Sequence, residues 1–220
     1  MRRYTVPALA VTATLTALAL LPATAASADS AVLTYGSAAG SAVSVGDVLT
    51  ASLAGGTKAA LATSSGGSSG ITCTGSTLSA TVTANPAAPG TATESATSQT
   101  FSGCTSNVFG VTGVQSITVN GLPYSTAASS DGTVTVTPAS GSTIQTTVVL
   151  STLLGSVTCV YRAPSLAAVS SNSTTSLTFT NQAFTKFSGS VLCAGNGYFS
   201  ATYAPVTDSS VSGAPAVYTN

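Results

Sequence analysis

The sequence predicts an all-β fold: an antiparallel β-sandwich, or a barrel-like relative of one, with about ten or more strands. Three observations carry it. Apolar residues alternate with Thr and Ser in short windows along the chain, turn-forming residues separate those windows, and no heptad or Leu/Glu/Lys-rich stretch offers a long helix. Alternation of period two puts one face of a strand against a core and the other in water, as in antiparallel sheets.

The first residues are expected to be an export signal and not part of the fold. Arg2 and Arg3 precede a mostly apolar run from Val6 to Leu21, and PATAASA follows with small residues at Ala26 and Ala28. That is the positive, apolar and cleavable layout of a secretory signal. Cleavage after Ala28 leaves 192 residues beginning at Asp29. The general secretory route fits better than twin-arginine export, because RRYTV lacks most of the flanking pattern of the latter. The apolar run is shorter than a membrane span needs, and no second one follows. The domain organisation is therefore a signal peptide over 1–28, one β-sandwich domain over 29–204 and a flexible polar tail over 205–220.

The strands then follow in order. GTKAALAT (Gly56–Thr63) reads as a short helix or a strand, and SSGGSSG (Ser64–Gly70) as a flexible loop. TLSATVT (Thr77–Thr83) places Leu78, Ala80 and Val82 on one face. SITVN alternates Ile117 and Val119, TVTVT alternates Val134 and Val136, SLTFT alternates Leu177 and Phe179, and YFSATYA alternates Phe199, Ala201 and Tyr203. β-Branched Val and Thr suit a pleated surface. TTVVLSTLL (Thr146–Leu154) lacks the alternation and reads as a strand covered on both faces. NPAAPG (Asn85–Gly90), NGLP (Asn120–Pro123), SSDG (Ser129–Gly132) and AGNG (Ala194–Gly197) supply the reversals.

The four cysteines point to disulfides, since an exported chain meets an oxidising compartment. Of the three connectivities, Cys73–Cys104 and Cys159–Cys193 are expected, because the chain reads as a weak internal duplication. Each half enters its first cysteine on a strand (GITC, SVTC), passes a Ser-Leu strand and an Asn-bearing turn, and reaches Phe-Ser-Gly shortly before its second cysteine. Phe101 and Phe187 are then expected to pack inward. Each bridge would close a loop of about 30 residues, worth roughly 3.5–4 kcal/mol on the chain-entropy argument. Metal binding does not fit: no cysteine pair has the short spacing of a zinc site, and there is no histidine.

Charge and chemistry narrow the function classes. After the signal, three cationic side chains (Lys58, Arg162, Lys186) face five acidic ones (Asp29, Asp47, Glu94, Asp131, Asp208), a formal balance of −2. Such a chain has no electrostatic footprint for nucleic acid. Without histidine, Ser-His-Asp and Cys-His catalysis are closed to it, and no phosphate-binding glycine motif is present. A carboxylate pair is the remaining catalytic route. Asp131 sits in a turn, Asp208 in the tail and Asp29 at the new terminus. Only Asp47 and Glu94 are flanked by strand-like sequence. No catalytic residue, cofactor or metal ligand is assigned. For binding, Tyr124 and Tyr198 lie beside turns, where a ring can be exposed to a ligand.

The phrases GITCTGSTLSATVTANPAAPGTA, TFSGCTS, ITVNGLPY and GYFSATYAP, with the Ala/Thr/Ser/Gly bias, resemble a group of small exported actinobacterial proteins labelled only by their signal sequence. The resemblance implies an extracellular, β-rich protein and brings no activity with it. The expectation is thus a secreted, non-catalytic binding or surface-associated protein. Its candidate partners are a cell-wall polymer, a polysaccharide or further copies of itself. The alternative is a cell-wall or polysaccharide hydrolase using a carboxylate pair.

Overall fold

The computed structural model of the protein describes residues 30–220. The expected signal peptide, 1–28, and Asp29 lie outside the described residues. Every regular element in them is a strand: β1 (Leu33–Tyr35), β2 (Ser41–Ala42), β3 (Val48–Ser52), β4 (Ala59–Ala62), β5 (Gly70–Ala84), β6 (Thr91–Ser106), β7 (Val111–Asn120), β8 (Tyr124–Ser129), β9 (Thr133–Thr137), β10 (Ile144–Thr152), β11 (Gly155–Ala163), β12 (Leu166–Ser171), β13 (Ser176–Gly189), β14 (Asn196–Tyr203), β15 (Thr207–Asp208) and β16 (Val217–Thr219). The windows of alternation all fall inside strands. GTKAALAT resolves to the strand β4, and TTVVLSTLL ends as a strand at Thr152, leaving Leu153 and Leu154 exposed in the turn.

The sheet closes on itself. Strands run in the order β12-β9-β8-β6-β5-β4-β14-β13, and a further ladder from Ala168–Ser171 to Ser176–Phe179 joins β12 back to β13, completing an eight-stranded antiparallel barrel. Closure removes the sheet edges that a chain with few charged gatekeepers would otherwise leave open. The long strands β5, β6 and β13 extend beyond this ring. There β13 changes partner: its Thr185–Gly189 end pairs with β11, and β10 and β7 continue outward from it. β7 then comes back against β6 without a ladder between them. The interior therefore runs on past the eight-stranded ring, walled by β7, β10 and β11.

The weak duplication has a structural counterpart. β5 lies along the whole of β6, while β11 and β12, separated by Pro164, lie end to end along β13. Both disulfides form as expected, Cys73–Cys104 and Cys159–Cys193. They are not equivalent. Cys73 and Cys104 are direct partners in the β5–β6 ladder, whereas Cys159 pairs with Gly189 and bonds a cysteine four residues further on, in the loop before β14. Lys186 Nζ donates to the carbonyls of Ser190 (3.5 Å) and Cys193 (3.2 Å), holding that loop.

The two Phe-Ser-Gly triplets differ in one respect and agree in another. Phe101 is partly buried, its ring 6.2 Å from that of Phe199. Phe187 does not pack inward: it is 58% exposed and carries the Arg162 guanidinium 3.2 Å over its ring. The β13–β14 ladder shifts register between Phe179 and Gln182, so the inward face passes from Phe179 to Phe184, and Phe187, three residues after Phe184, turns outward. The glycines agree. Gly103 (φ +58°) and Gly189 (φ +129°) both occupy positive-φ backbone, and a Cβ would lie 2.2 Å from Thr74 Oγ1 at the first and 2.6 Å from the Thr158 carbonyl at the second. Each glycine presses on the residue next to the cysteine of its partner strand.

The segment 205–220, expected as a tail apart from the domain, is paired into the fold. In 205–220, β15 pairs with β3 and β16 with β1, and the Asn220 side chain donates to Thr34 Oγ1 at 2.8 Å. Alternation cannot be read in strands of two or three residues, which is why the segment looks like a tail in the sequence.

A cavity inside the barrel with one carboxyl

The core is incompletely filled. A cavity of about 110 Å³ lies within the eight-stranded ring, with β7, β10 and β11 completing its wall. Phe101, Phe179, Phe184 and Phe199 bound it, with the Phe179 and Phe199 rings 5.6 Å apart. The space exists because several positions on its wall carry small side chains. Ala80 on β5, Ala96 and Ser98 on β6, Thr126 on β8 and Thr146 on β10 stand where Leu or Phe would fill it. An unfilled apolar space of this size costs on the order of 2–3 kcal/mol.

Glu94 lines the same space. It sits in β6 between Ala92 and Ala96, and successive even positions of a strand share a face. Ala92 is fully buried, so the face is the inner one. Val82 and Thr126, the partners of Glu94 on either side in the ladders, are buried too. Burial raises the Glu94 carboxyl from 4.5 to about 7, with neither a hydrogen bond nor an opposite charge to offset it. Among the described residues, no Lys, Arg or Asp bounds the cavity.

The two tyrosines singled out in the sequence part company. Tyr124 is buried, 4% exposed, and bounds the cavity. Its hydroxyl donates to the Asn120 carbonyl and accepts from Gln145 N at 3.0 Å, so the ring is fixed in the wall and not displayed on a turn. Burial raises its hydroxyl above the usual tyrosine range. Tyr198 is half-buried on β14 and alternates with the inward Phe199, on the other face of the wall. Tyr161 of β11 is the second tyrosine on the cavity, and burial raises its hydroxyl as well.

The remaining described carboxylates are elsewhere. Asp131 caps its turn, accepting from Thr133 N at 2.9 Å and Thr133 Oγ1 at 2.6 Å. Asp208, read in the sequence as part of a polar tail, is fully buried in β15. It touches Asp47, and its carboxyl is raised by burial first and by the Asp47 carboxyl after it. These two meet in contact and not across a substrate-sized gap. A second hollow, of about 420 Å³, runs along the outside between β3, β5 and the Ala204–Pro205 corner; hydroxyls of Thr50, Ser52, Thr77 and Thr207 line it and no aromatic ring does.

No group of three or more metal-ligating side chains occurs among the described residues. No helix among them is long and apolar enough to cross a membrane. The cavity escaped sequence reasoning because no short motif encodes it. Its signal was the run TATESAT, in which an acid shares a face with two alanines, and that face reads as inward only once Ala92 is known to be buried. Comparison with known proteins finds no matching family model, and no curated protein or solved structure of significant similarity.

Proposed function

We propose that the protein is a secreted, non-catalytic binding protein whose ligand is a small molecule with a largely apolar body held inside the barrel. One observation carries this reading: the fold keeps an apolar cavity open with small residues on its wall and aims an unpaired carboxyl into it. Both features cost stability in the empty protein, and such costs are concentrated where a protein works. Ligand sites in barrels are mostly apolar, with a few placed polar groups, and Glu94, Tyr124 and Tyr161 fit that description. The two disulfides fit a chain that functions outside the cell.

The hydrolase alternative needs two carboxylates separated by room for a sugar. Glu94 has no acidic companion on the cavity, and Asp47 and Asp208 are in contact. The arrangement favours binding over hydrolysis.

An NMR titration with toluene tests the reading. Saturable shifts of the Phe101, Phe179 and Phe199 ring resonances are expected, and Ala96→Leu, which fills part of the space, is expected to weaken them. Absence of saturable shifts in the wild-type protein, or unchanged binding in a folded Ala96→Leu protein, would overturn it.

A further inference from the structure

We infer that the ligand carries a basic nitrogen, and that Glu94 is the group that receives it. This rests on the reading of the cavity as a ligand site and goes one step further, to the chemical class of the ligand. Among the described residues, Glu94 is the sole charged side chain bounding the space, and none of them gives it a hydrogen-bond donor or a cation. A carboxylate accepts hydrogen bonds and donates none, so whatever completes it must arrive with N–H or O–H groups. A cation does this best, because charge-assisted hydrogen bonds are stronger than neutral ones, most of all where water is excluded.

The usual objection to a buried ion pair is the cost of stripping water from both ions. Here the protein has already borne its half during folding. The carboxyl is already partly stripped of water against the apolar wall, and this burial raises it to about 7. An entering ammonium bears mainly its own dehydration and meets a partner that has no competing hydrogen bond from the protein. An anionic ligand meets the reverse situation, a second negative charge within the same largely apolar space, and is turned away.

Size and wall set the rest of the ligand. The cavity accepts a group of about benzene size. The phenylalanine rings around it favour an aromatic or compact aliphatic body, and aromatic faces also tolerate a nearby cation. A single carboxylate with no further oxygen cluster is not a metal site, so an organic amine is the cation that fits.

The pH dependence follows from the groups that share the space. Glu94 from β6 faces Tyr124 from β8 and Tyr161 from β11, both held neutral by upward shifts, and β4, β5, β7, β9, β10, β12, β13 and β14 contribute no titratable side chain to the cavity apart from a disulfide cysteine. Amine preference is thus expected to rise as Glu94 ionises through about 7 and to fall again only where the amine itself loses its proton.

The test compares three molecules of one shape: benzylamine, benzyl alcohol and benzoate. At about pH 8 the amine is cationic and Glu94 mostly ionised, and the wild-type protein is expected to bind benzylamine roughly tenfold or more tightly than benzyl alcohol. Glu94→Gln should erase that preference, bringing benzylamine and benzyl alcohol to similar affinity. The ¹³C shift of the Glu94 carboxyl gives an independent readout, since a bound amine should lower its midpoint. Equal binding of amine and alcohol, tighter binding of benzoate, or an amine preference that survives Glu94→Gln would each overturn the inference and leave the cavity reading standing. If toluene, alcohol and amine all fail to saturate, the cavity reading falls with it.

Discussion

The Tyr203 hydroxyl lies 2.8 Å from Ser76 Oγ in the interior, tying the last strand of the barrel, β14, to the centre of β5. Tyr203 is fully buried, and Gln99 Nε2 donates to the same oxygen at 3.0 Å. Tyr203→Phe leaves both partners without this contact at almost constant volume. A loss of about 1–3 kcal/mol is expected, because a buried hydroxyl without a partner pays its desolvation in full. Adding Ser76→Ala should return part of it. Chemical denaturation of the two single variants and the double variant checks this, and strict additivity would show that the pair does not act as one unit.

Glu94 makes the empty protein less stable as the medium becomes less acidic. Its carboxyl releases its proton near 4.5 in the unfolded chain and at about 7 in the folded one. Between those values the folded state holds more protons, so stability is present below about 4.5 and falls as pH rises to about 7. The loss is at most about 3 kcal/mol, less to the extent that water in the cavity screens the charge. Glu94→Gln is expected to remove the decline and to raise the denaturation midpoint above that of the wild-type protein at pH 8. A Glu94→Gln protein with an unchanged pH profile would contradict this.

Asp208 tilts the profile the same way. It is fully buried in β15, and burial, with the Asp47 carboxyl second, raises it above the usual aspartate value of 3.8. The folded state therefore keeps this proton longer than the unfolded chain, and its contribution is lost as pH rises above that ordinary value. Asp131, exposed and bonded to Thr133, shifts downward and pulls weakly the other way. Asp208→Asn is expected to stabilise the protein at pH 7 and to change little near pH 3. Hydrogen exchange at Asp208 and Ser210 should report it locally, as the amides of the two hold β15 and its turn against the fold. Faster exchange at pH 7 in the variant would refute the assignment.

How far the sequence reaches depends on the range of the signal. Thr133–Thr137 was legible to the residue because two valines alternating with threonines, bounded by SSDG, need only their neighbours to define a face. The disulfides were legible because order along the chain, repeated twice, implies proximity. Closure of the barrel was not, since the ladder between β12 and β13 depends on eight strands arriving in register. Phe187 faces out although its triplet matches that of Phe101, because the register shift after Phe179 moves the inward face to Phe184, and a three-residue repeat carries no record of such a shift. Asp208 was misplaced because a two-residue strand carries no period at all. The cavity lies furthest from sequence: it is the space left between side chains from many strands, and no single one of them records it.

The two triplets share a sequence, and crowding around their glycines explains it. Gly103 and Gly189 stand beside the two bridges at positive φ, with Thr74 Oγ1 2.2 Å and the Thr158 carbonyl 2.6 Å from where a Cβ would sit. The two positions differ in what must yield. At Gly103 the obstacle is the end of a threonine side chain, which can rotate away; at Gly189 it is backbone, with Cys193 Sγ also 2.8 Å off. Both alanine substitutions carry the backbone strain of a positive φ, of order 1–3 kcal/mol. Gly189→Ala carries the clash in addition. Gly189→Ala is therefore expected to be the more destabilising of the two, and to expose the Cys159–Cys193 bridge to faster reduction by a small thiol. Thermal denaturation and timed thiol release on both variants decide it. Equal losses, or faster reduction in Gly103→Ala alone, would mean that the shared triplet, and not the packing around each glycine, governs the outcome.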